Sequence, residues 1–397
     1  MKIVSLSLSL NKFRNVFQNM LFVFISLAFT SNIFAQGWTY SGPSSGGVIG
    51  QISNGDWTFD VWVEYDALSF QLYNIAIHGK SSVLHFDEPI SDGKKLVEIY
   101  ERTFQHNSFI TAVYLPDSLR TIGNAAFWDC TALTTVEPFF SDSVNYIGWS
   151  AFEGCINLTG DFVVANPNLT YLGDGSFSNT KIKSVDLSKS GITILPQNTF
   201  LQCEKLESVL LPKMLEQIGY DAFAYCTSLT NVAPFLPNTV YNISWGVFYK
   251  CPIRNPLILD PISSLQTEVA CFTETQIPSI YFGTNVTYFS HNNTFQMCTN
   301  VTQVWFSGDV PGFGGSPFTN WNNHQAKVYA PKANGTWQAY IDINGAALLE
   351  EEEILFGEIF PNDKLPVGML YLPSCYQFYY RWNIANDQTR TTLLIVN

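Results

Sequence analysis

Residues 122–136, IGNAAFWDCTALTTV, recur through the chain with small changes. Copies read IGWSAFEGCINL at 147–158, IGYDAFAYCTSLTNV at 218–232, ISWGVFYKCPI at 243–253 and TFQMCTNVTQV at 294–304. A Phe that recurs every 23 to 25 positions marks the centre of each copy, and its positions are Phe104, Phe127, Phe152, Phe177, Phe200, Phe223, Phe248, Phe272, Phe295 and Phe318. A repeat of this length is typical of stacked coils, because one unit cannot bury its apolar face without neighbours. We therefore predict about ten coils.

The apolar residues within each copy lie at irregular steps of three to five positions. The copy centred on Phe127 has Ile five residues before the Phe, Gly four before it, and Cys, Leu and Val three, six and nine after it. Such steps suit a chain that turns several corners per coil. The Val position is surrounded by β-branched residues and is followed by Pro in some copies. This predicts one short strand per coil and a parallel sheet along one face.

The Gly four residues before the Phe is interpreted as a sharp corner that requires a positive φ. The copies that carry it have Gly123, Gly148, Gly173 and Gly219. Pro196 and Ser244 occupy the same position in two other copies.

The repeat, I-G-x-x-A-F-x-x-C-x-x-L-x-x-V, resembles that of the BspA-type class of bacterial leucine-rich repeats over about residues 95–340. The resemblance implies a solenoid of about ten leucine-rich repeats of 23–25 residues, with a parallel sheet along one face. It also implies a secreted or surface-displayed protein. The family serves as a general binding surface, and some members adhere to host matrix proteins or to other cells.

Residues 1–35 have the features of a secretory signal peptide. Lys2, Lys12 and Arg14 give a basic start without acidic residues, the apolar run MLFVFISLAF follows at 20–29, and a small residue, Ala35, closes the segment. The apolar run is too short for a permanent anchor. We predict cleavage after Ala35, secretion or cell-surface localisation, and no transmembrane segment in the mature chain.

The flanks of the predicted solenoid, which spans 94–340, differ from it in composition. Residues 36–50 form a Gly/Ser-rich lead-in that we expect to be flexible. Alternation of Trp57, Phe59 and Val61 with polar residues predicts a β-rich N-terminal cap at 51–93, with an independent binding domain as the alternative. Residues 341–397 are predicted as a small α+β appendage, either a cap or part of a separate module. Within it, AALLEEEEILF at 346–356 predicts a short helix with its four Glu in solvent.

The composition limits the classes of partner. A net charge of −13 argues against nucleic acid and anionic membranes as ligands. With 13% charged and 46% hydrophobic residues, most of the chain is expected to be well folded.

Eight Cys are present, and six of them share the position three residues after the central Phe. This predicts a column of buried thiols that pack as small hydrophobes. Disulfides between adjacent coils, such as Cys130–Cys155 and Cys203–Cys226, are the alternative, because the spacing of adjacent strands suits a disulfide. Metal binding is disfavoured, because a column does not converge its sulfurs on one point.

The sequence contains no convincing catalytic or cofactor motif. The G-x-S-x-G match at 42–46 lies in the Gly-rich lead-in with Pro inside it, without the strand and helix that a nucleophile elbow requires. The five His are scattered, and His85 near Asp87 and Glu88 is the only local group that suggests a site, with a surface histidine beside carboxylates as the alternative. We predict that the chain is not an enzyme and has no cofactor or metal.

If the Val of each predicted strand points inward, its two neighbours point outward. These neighbours are mostly small polar residues with interspersed aromatic and acidic ones, which suits a protein or glycan ligand. An unused sheet face is the alternative. The predicted ligand-binding residues are Tyr114, Glu137, Asp186, Tyr281 and Trp305.

The sequence thus favours a non-enzymatic secreted or cell-surface binding protein, plausible as an adhesin or scaffold for extracellular or host proteins or glycans. Two alternatives remain open at this stage. One is a structural spacer for another surface component, and the other is a glycan-acting enzyme.

Overall fold

The computed structural model describes residues 37–42, 49–63, 69–72, 81–138, 142–164, 166–259, 266–283, 286, 288–289, 294–306, 312–313, 327–331, 351–354, 377–379 and 394–396. The predicted signal peptide, the coil at Phe318, Cys375 and most of the predicted C-terminal appendage lie outside these residues.

The N-terminal region is built from short strands that lead into the repeat. Its elements are β1 (Thr39–Ser41), β2 (Ile49–Ser53), β3 (Thr58–Val63), β4 (Ser69–Leu72), β5 (Val83–His85), a 3-10 helix (Ser91–Gly93) and β6 (Lys95–Ile99).

The repeat region alternates longer and two-residue strands. They are β7 (Ala112–Tyr114), β8 (Thr121–Ile122), β9 (Thr135–Glu137), β10 (Tyr146–Ile147), β11 (Thr159–Val163), β12 (Tyr171–Leu172), β13 (Lys181–Asp186), β14 (Ile194–Leu195), β15 (Ser208–Leu210), β16 (Gln217–Ile218), β17 (Asn231–Ala233), β18 (Asn242–Ile243), β19 (Leu257–Leu259), β20 (Gln266–Thr267), β21 (Ser279–Phe282), β22 (Tyr288–Phe289), β23 (Gln303–Phe306), β24 (Gly312–Phe313) and β25 (Lys327–Pro331). Three strands follow, β26 (Glu351–Ile354), β27 (Gln377–Tyr379) and β28 (Leu394–Val396).

The odd-numbered strands β5 to β25 form what we call the Val face. They pair in parallel in three ladders, β5-β7-β9, β11-β13-β15-β17 and β19-β21-β23-β25 with β26. The central apolar residue is buried in most of these strands, as at Val113, Val136, Val209 and Val232. The predicted parallel sheet of a solenoid is therefore confirmed, and the described coils make about eight turns.

A second parallel array was not predicted from the sequence. The even-numbered strands β6 to β24, each placed five to six residues before a central Phe, pair as β6-β8-β10-β12, β14-β16-β18-β20 and β22-β24. We call this surface the Gly face, because Gly follows its strand in several coils. Each coil thus has two short strands, where the pattern had predicted one.

The core between the two faces is a column of stacked Phe rings. From Phe104 to Phe295 the central Phe side chains are fully buried, and adjacent rings lie 4.9–5.6 Å apart with interplanar angles of 2–18°. Complete burial of each such ring contributes about 1.5–3 kcal/mol, and offset stacking adds to it. The recurring Phe is therefore the main packing element of every coil.

The predicted role of the Gly after the Gly-face strand was wrong. A positive φ is absent at all four predicted positions. An added Cβ on Gly173 would lie 2.1 Å from the backbone N of Trp149, and one on Gly219 would lie 2.5 Å from that of Gln197. Gly is required there because the backbones of neighbouring coils approach closely, not because of a left-handed conformation.

Left-handed backbone occurs instead at non-Gly residues that flank the Phe. Ala125, Ser150 and Asp221, two residues before it, have φ of 52°, 52° and 51°. Tyr225 and Lys250, two residues after it, have φ of 60°. Backbone hydrogen bonds between coils hold these turns, as the sharp corners of the repeat require.

The column of thiols predicted from the repeat is present. All seven Cys of the described residues are buried and free. The Cys226 Sγ donates to the backbone O of Phe200 in the preceding coil at 3.1 Å, and five further Cys of the column make the equivalent contact. Where Thr replaces Cys, its hydroxyl turns to the carbonyl of its own coil, as Thr180 does with Phe177 O at 3.0 Å.

The described N-terminal residues are β-rich, and their strands begin before residue 51, where the predicted cap starts. β1 to β3 pair in antiparallel fashion and β4 joins the Gly face through β6. Trp57, Phe59 and Val61 are buried, as their alternation had indicated. The part of the predicted flexible lead-in that is described carries β1 and the buried Trp38, whose indole stacks on Phe86 at 5.4 Å. It therefore belongs to the cap, which covers the Phe column at Phe104.

The helix predicted at 346–356 was wrong in its described part. Residues Glu351–Ile354 form β26, which pairs in parallel with β25. Glu favours helices, but an open edge of parallel strands offers unpaired backbone groups, and pairing with them overrides a weak local preference.

Candidate functional site

The five predicted ligand-binding residues all lie on the Val face, one position after the buried central residue of a strand. The register places Tyr114 beside Glu137, and Tyr281 beside Trp305, on neighbouring strands. Asp186 belongs to the middle ladder, beside Leu210. The Val face therefore brings these residues together as two pairs and one separate carboxylate.

Tyr114 and Asp186 have partners within the chain. The Tyr114 ring stacks on the His85 ring at 4.5 Å and 0°, and His85 Nδ1 lies 3.3 Å from an Asp87 oxygen. Asp186 Oδ1 accepts a hydrogen bond from the Ser188 backbone N at 2.9 Å. Glu137 is exposed. The other outward residues of this face are mostly polar, with Val163 and Leu210 as exposed apolar exceptions. They carry both charges, with Lys181 and Lys183 on β13.

The Gly face presents a different surface, and sequence reasoning missed it. Its exposed apolar side chains lie three, six or seven residues before a central Phe. They are Trp149 (37% exposed), Tyr171 (45%), Ile194 (50%), Tyr220 (48%), Tyr241 (43%) and Trp245 (43%). Large exposed apolar groups gathered on one surface are typical of interaction sites. The aromatic residues at these repeat positions were visible in the sequence, but they gain meaning only once a second strand per coil is recognised.

Parallel pairing of two-residue strands sets the spacing of these rings. Tyr146 and Tyr171 are register partners on β10 and β12, and their rings stack at 4.6 Å with an interplanar angle of 3°. Asn124, one coil earlier, holds the next turn, since its Oδ1 accepts from the Trp149 backbone N at 3.1 Å. The ring positions are therefore fixed by the backbone of adjacent coils.

Two adjoining depressions run along this face. The first has a volume of about 660 Å³ and is lined by Arg120, Asp142 and Tyr146 among others. The second, of about 510 Å³, lies against Ile194 and Tyr220. Both include Thr170 and Tyr171, so the Tyr171 side chain stands at their junction. Together they form one shallow groove across several coils, a shape that suits an extended ligand.

Polar groups are interleaved with the rings of this groove. Gln197 Nε2 donates to Asp174 Oδ2 at 2.9 Å. Gln217 donates to the Tyr241 hydroxyl, and the Tyr220 hydroxyl lies 3.4 Å from Glu268 Oε1. A few directional polar groups among apolar surfaces are typical of sites that bind a ligand in a defined orientation.

Burial influences the ionisation of two groups on the Gly face. It raises the pKa of the Tyr146 hydroxyl, with the neighbouring Tyr171 as a further cause. Burial also raises the pKa of the half-buried Asp221 carboxyl.

The other chemically reactive side chains are placed for packing. Burial raises the pKa of the Cys203 and Cys298 thiols to about 12, which keeps them protonated and unreactive at neutral pH. Within the described residues, no group of three or more His, Cys, Asp or Glu is arranged to hold a metal ion. The G-x-S-x-G match lies mostly outside the described part of the chain.

A model of the BspA type leucine rich repeat region matches residues 97–230, 137–254 and 234–341. These overlapping segments cover more than half of the chain. The protein belongs to the BspA-type leucine-rich repeat family. Its two-strand coil, Phe column and Cys column are thus features of a BspA-type solenoid. No curated protein matches the chain.

Several solved structures resemble this BspA-type chain. A leucine-rich repeat protein from Bacteroides ovatus ATCC 8483 is 16% identical, with 80% of this chain and 98% of that one covered and a TM-score of 0.40. The T. pallidum leucine rich repeat protein TpLRR is 25% identical, with coverage of 49% and 88% and a TM-score of 0.38. The pneumococcal vaccine antigen PcpA is 17% identical, with coverage of 81% and 90% and a TM-score of 0.38. With scores this low, the family assignment rests on the repeat model.

The described part of this BspA-type chain includes no helix that is long and apolar enough to cross a membrane.

Proposed function

We propose that this BspA-type protein is a non-enzymatic binding protein displayed outside the cell, and that the Gly face is its ligand-binding surface. The observation that carries the proposal is the set of exposed aromatic rings on this face. Tyr171 and Tyr220 line the groove, and Trp149, Tyr241 and Trp245 are exposed on the same face. Aromatic side chains provide large contact area at low entropic cost and dominate the energetics of many interfaces.

The rings are not needed to complete the core. The Phe column and the Val and Ile side chains fill the space between the two faces, and the Gly-face rings lie outside it. Exposed apolar side chains of this size favour aggregation unless a ligand or partner covers them. Their retention in at least four coils therefore supports a binding role.

Localisation outside the cell is supported by the predicted signal peptide at 1–35. A protein of similar fold from Faecalibacterium prausnitzii, 16% identical, is described as a leucine rich cell surface protein. An adhesin is the form of binding protein that we favour, with host or neighbouring-cell surfaces as targets. If the protein were a structural spacer, substitutions on either face would not change binding.

The Val face is a second candidate surface because of one feature. On β21 and β23 the register places Tyr281 beside Trp305, and Tyr329 on β25 follows. This aromatic register column lies at the far end of the described solenoid from the Gly-face groove, so the two surfaces can be tested separately.

The test compares matched variants of the mature chain, residues 36–397, for binding to immobilised extracellular-matrix proteins and surface glycans. We expect Tyr171→Ala with Trp245→Ala to weaken binding about tenfold or more, as loss of central rings does at interfaces. Tyr114→Ala with Tyr281→Ala is the Val-face control and is expected to change binding less than about twofold. The reverse pattern would place binding on the Val face. Unchanged binding in both double variants would contradict a role for either face and favour a spacer.

Turnover of a glycan by the same preparation would contradict the non-enzymatic part of the proposal. A glycan panel incubated with the mature chain and analysed for cleavage products provides that measurement, and we expect no products.

A further inference from the structure

Between the coils of Phe177 and Phe272 the charged residues of the Gly face are acidic, whereas Arg120 and the Arg102 that lies over Trp149 are at its N-terminal end. From the coil of Phe152 to that of Phe272, the positions two to seven residues before the Phe contain four acids and no Lys, Arg or His. These acids are Asp174, Glu216, Asp221 and Glu268. The Val face differs, since Lys181 and Lys183 lie among its acids. The aromatic surface is therefore also a locally anionic surface.

These carboxylates are accessible and lack cationic partners in the described part of the chain. Asp174 is exposed, and Glu216 and Glu268 are half-buried. The ion pairs found among described residues, His85–Asp87 and His106–Asp129, lie elsewhere. Asp174 lines the groove, and Glu216 and Glu268 lie on the same face. A cation that approaches this part of the face would meet carboxylates without an ion-pair partner among the described residues, whereas Arg120 lies at the other end of the groove.

The rings and the carboxylates favour the same kind of ligand group. An aromatic face attracts a cation through its quadrupole, and a guanidinium also forms charge-assisted hydrogen bonds with carboxylates. The chain itself provides an example on this face, because the Arg102 guanidinium lies 6.0 Å over the Trp149 ring. A second example lies at the adjoining corner, where Lys250 Nζ is 5.1 Å from the Tyr249 ring centre.

We propose that the Gly-face groove binds an extended polypeptide segment rich in Arg or Lys, with basic side chains over the rings and beside the carboxylates. This inference rests on the proposed function of the Gly face. The groove runs across several coils and is open along its length, which suits an extended segment. The net charge of −13 steers a basic partner toward the molecule and disfavours acidic ones.

The test uses the mature chain and three labelled probes of equal length. One is a peptide of alternating Arg and Ser, the second replaces Arg by Gln, and the third replaces Arg by Glu. We expect the Arg peptide alone to bind, with affinity that falls as salt rises. The triple variant Asp174→Asn, Glu216→Gln, Glu268→Gln is expected to weaken binding about five- to twentyfold, since each exposed charge pair contributes a few-fold.

A charge-matched control separates a local site from net charge. The triple variant Asp161→Asn, Glu204→Gln, Glu207→Gln removes the same number of exposed acids away from the Gly face. We expect it to change binding of the Arg peptide less than about twofold. Equal losses in the two triple variants would overturn the inference, because only net charge would then matter. Circular dichroism and melting curves check that both variants are folded.

The remaining outcomes separate the inference from the proposed function. If the Arg peptide fails to bind but a neutral oligosaccharide binds and is lost in Tyr171→Ala with Trp245→Ala, the inference is wrong and the Gly face remains a binding surface. Equal binding of the Gln and Arg peptides also overturns the inference. If the two aromatic substitutions change no binding to any probe, matrix protein or glycan, the proposed function fails with it.

Discussion

The two faces of the solenoid share one core and differ in what they present to solvent. The Val face exposes polar side chains of both charges with scattered apolar ones such as Val163 and Leu210, whereas the Gly face exposes more rings, with acids between the coils of Phe177 and Phe272. Both are parallel arrays whose inward residues are buried at nearly every coil. The repeat thus dictates the inward residues of both faces and leaves the outward ones free to vary. A difference between the outward surfaces therefore indicates use, because the fold does not require it.

The largest expected loss of unfolding free energy comes from a substitution in the Phe column, which lies between the two faces. Phe200→Ala removes a fully buried ring that stacks on Phe177 at 5.6 Å and Phe223 at 5.5 Å. We expect a loss of about 3–5 kcal/mol in the free energy of unfolding, because the cavity lies between packed coils. Urea unfolding followed by circular dichroism measures it.

Phe200→Leu is the matched control for that cavity. It keeps most of the apolar volume, and we expect a clearly smaller loss. Equal and small losses in both variants would mean that adjacent coils collapse around the site, and that the Phe column is not the common support of the two faces.

A smaller loss of unfolding free energy is expected from a substitution at the close backbone contact between adjacent coils of the Gly face. Gly173→Ala places a Cβ 2.1 Å from the Trp149 backbone N, so adjacent coils must separate at that edge. We expect a loss of about 1–3 kcal/mol from overpacking, measured by urea unfolding. Ser244→Ala is the control, because this position already carries a Cβ in its coil, and we expect a change below about 0.5 kcal/mol. A harmless Gly173→Ala would contradict the close-approach explanation of the Gly.

Alkaline pH is expected to lower the free energy of unfolding through the buried thiols of the Cys column. Burial raises the pKa of the Cys203 thiol from 9.0 to about 12. In this range the folded state retains a proton that the unfolded state has lost, so stability is unaffected below about pH 9 and falls as pH rises toward 12. Each such thiol contributes a slope of up to about 1.4 kcal/mol per pH unit. Unfolding free energies measured at intervals from pH 8 to 11 report this slope.

Cys203→Thr tests the origin of the slope. Thr occupies the equivalent position at Thr180, where its hydroxyl bonds the carbonyl of its own coil. We expect this variant to show a shallower decline above pH 9 than the unmodified chain. An identical decline would assign the alkaline sensitivity to other groups.

The sequence was sufficient to predict the solenoid, the column of buried thiols and the strands of the Val face. Each depends on a strong repeat, in which Phe127 and Val136 recur at fixed positions and are buried. The second array was missed because its strands are two residues long, as at Tyr146–Ile147, and so short a strand has no alternating pattern to read. Its stability comes from pairing with adjacent coils, which is a property of the stack and not of the local sequence.

The predicted binding residues lay on the Val face for the same reason. Only one strand per coil was expected, so only its neighbours were considered as outward residues. The rings at Trp149, Tyr220 and Trp245 share a repeat position three residues before the Phe, but only the preceding Gly position was interpreted, as a corner. Likewise the helix predicted for 346–356 followed local preference, while β26 at Glu351–Ile354 follows the pairing that β25 offers.

The smallest expected loss of unfolding free energy comes from removal of one outward-facing ring on each face. Tyr171→Ala removes a ring that stacks on Tyr146, and Tyr114→Ala removes one that stacks on His85. Because cross-strand pairs on a solvent-facing surface contribute about 0.2–1 kcal/mol, we expect each variant to lose no more than about 1 kcal/mol of unfolding free energy. Urea midpoints with unchanged slopes provide the measurement.

Such similar and small losses would mean that neither ring supports the fold, so that any difference in ligand binding between the two variants belongs to the surface itself. A loss from Tyr171→Ala that approaches the cost of the Phe200 cavity would instead make the Gly-face rings part of the core. Their exposure would then no longer argue for a ligand, because the fold alone would account for their presence.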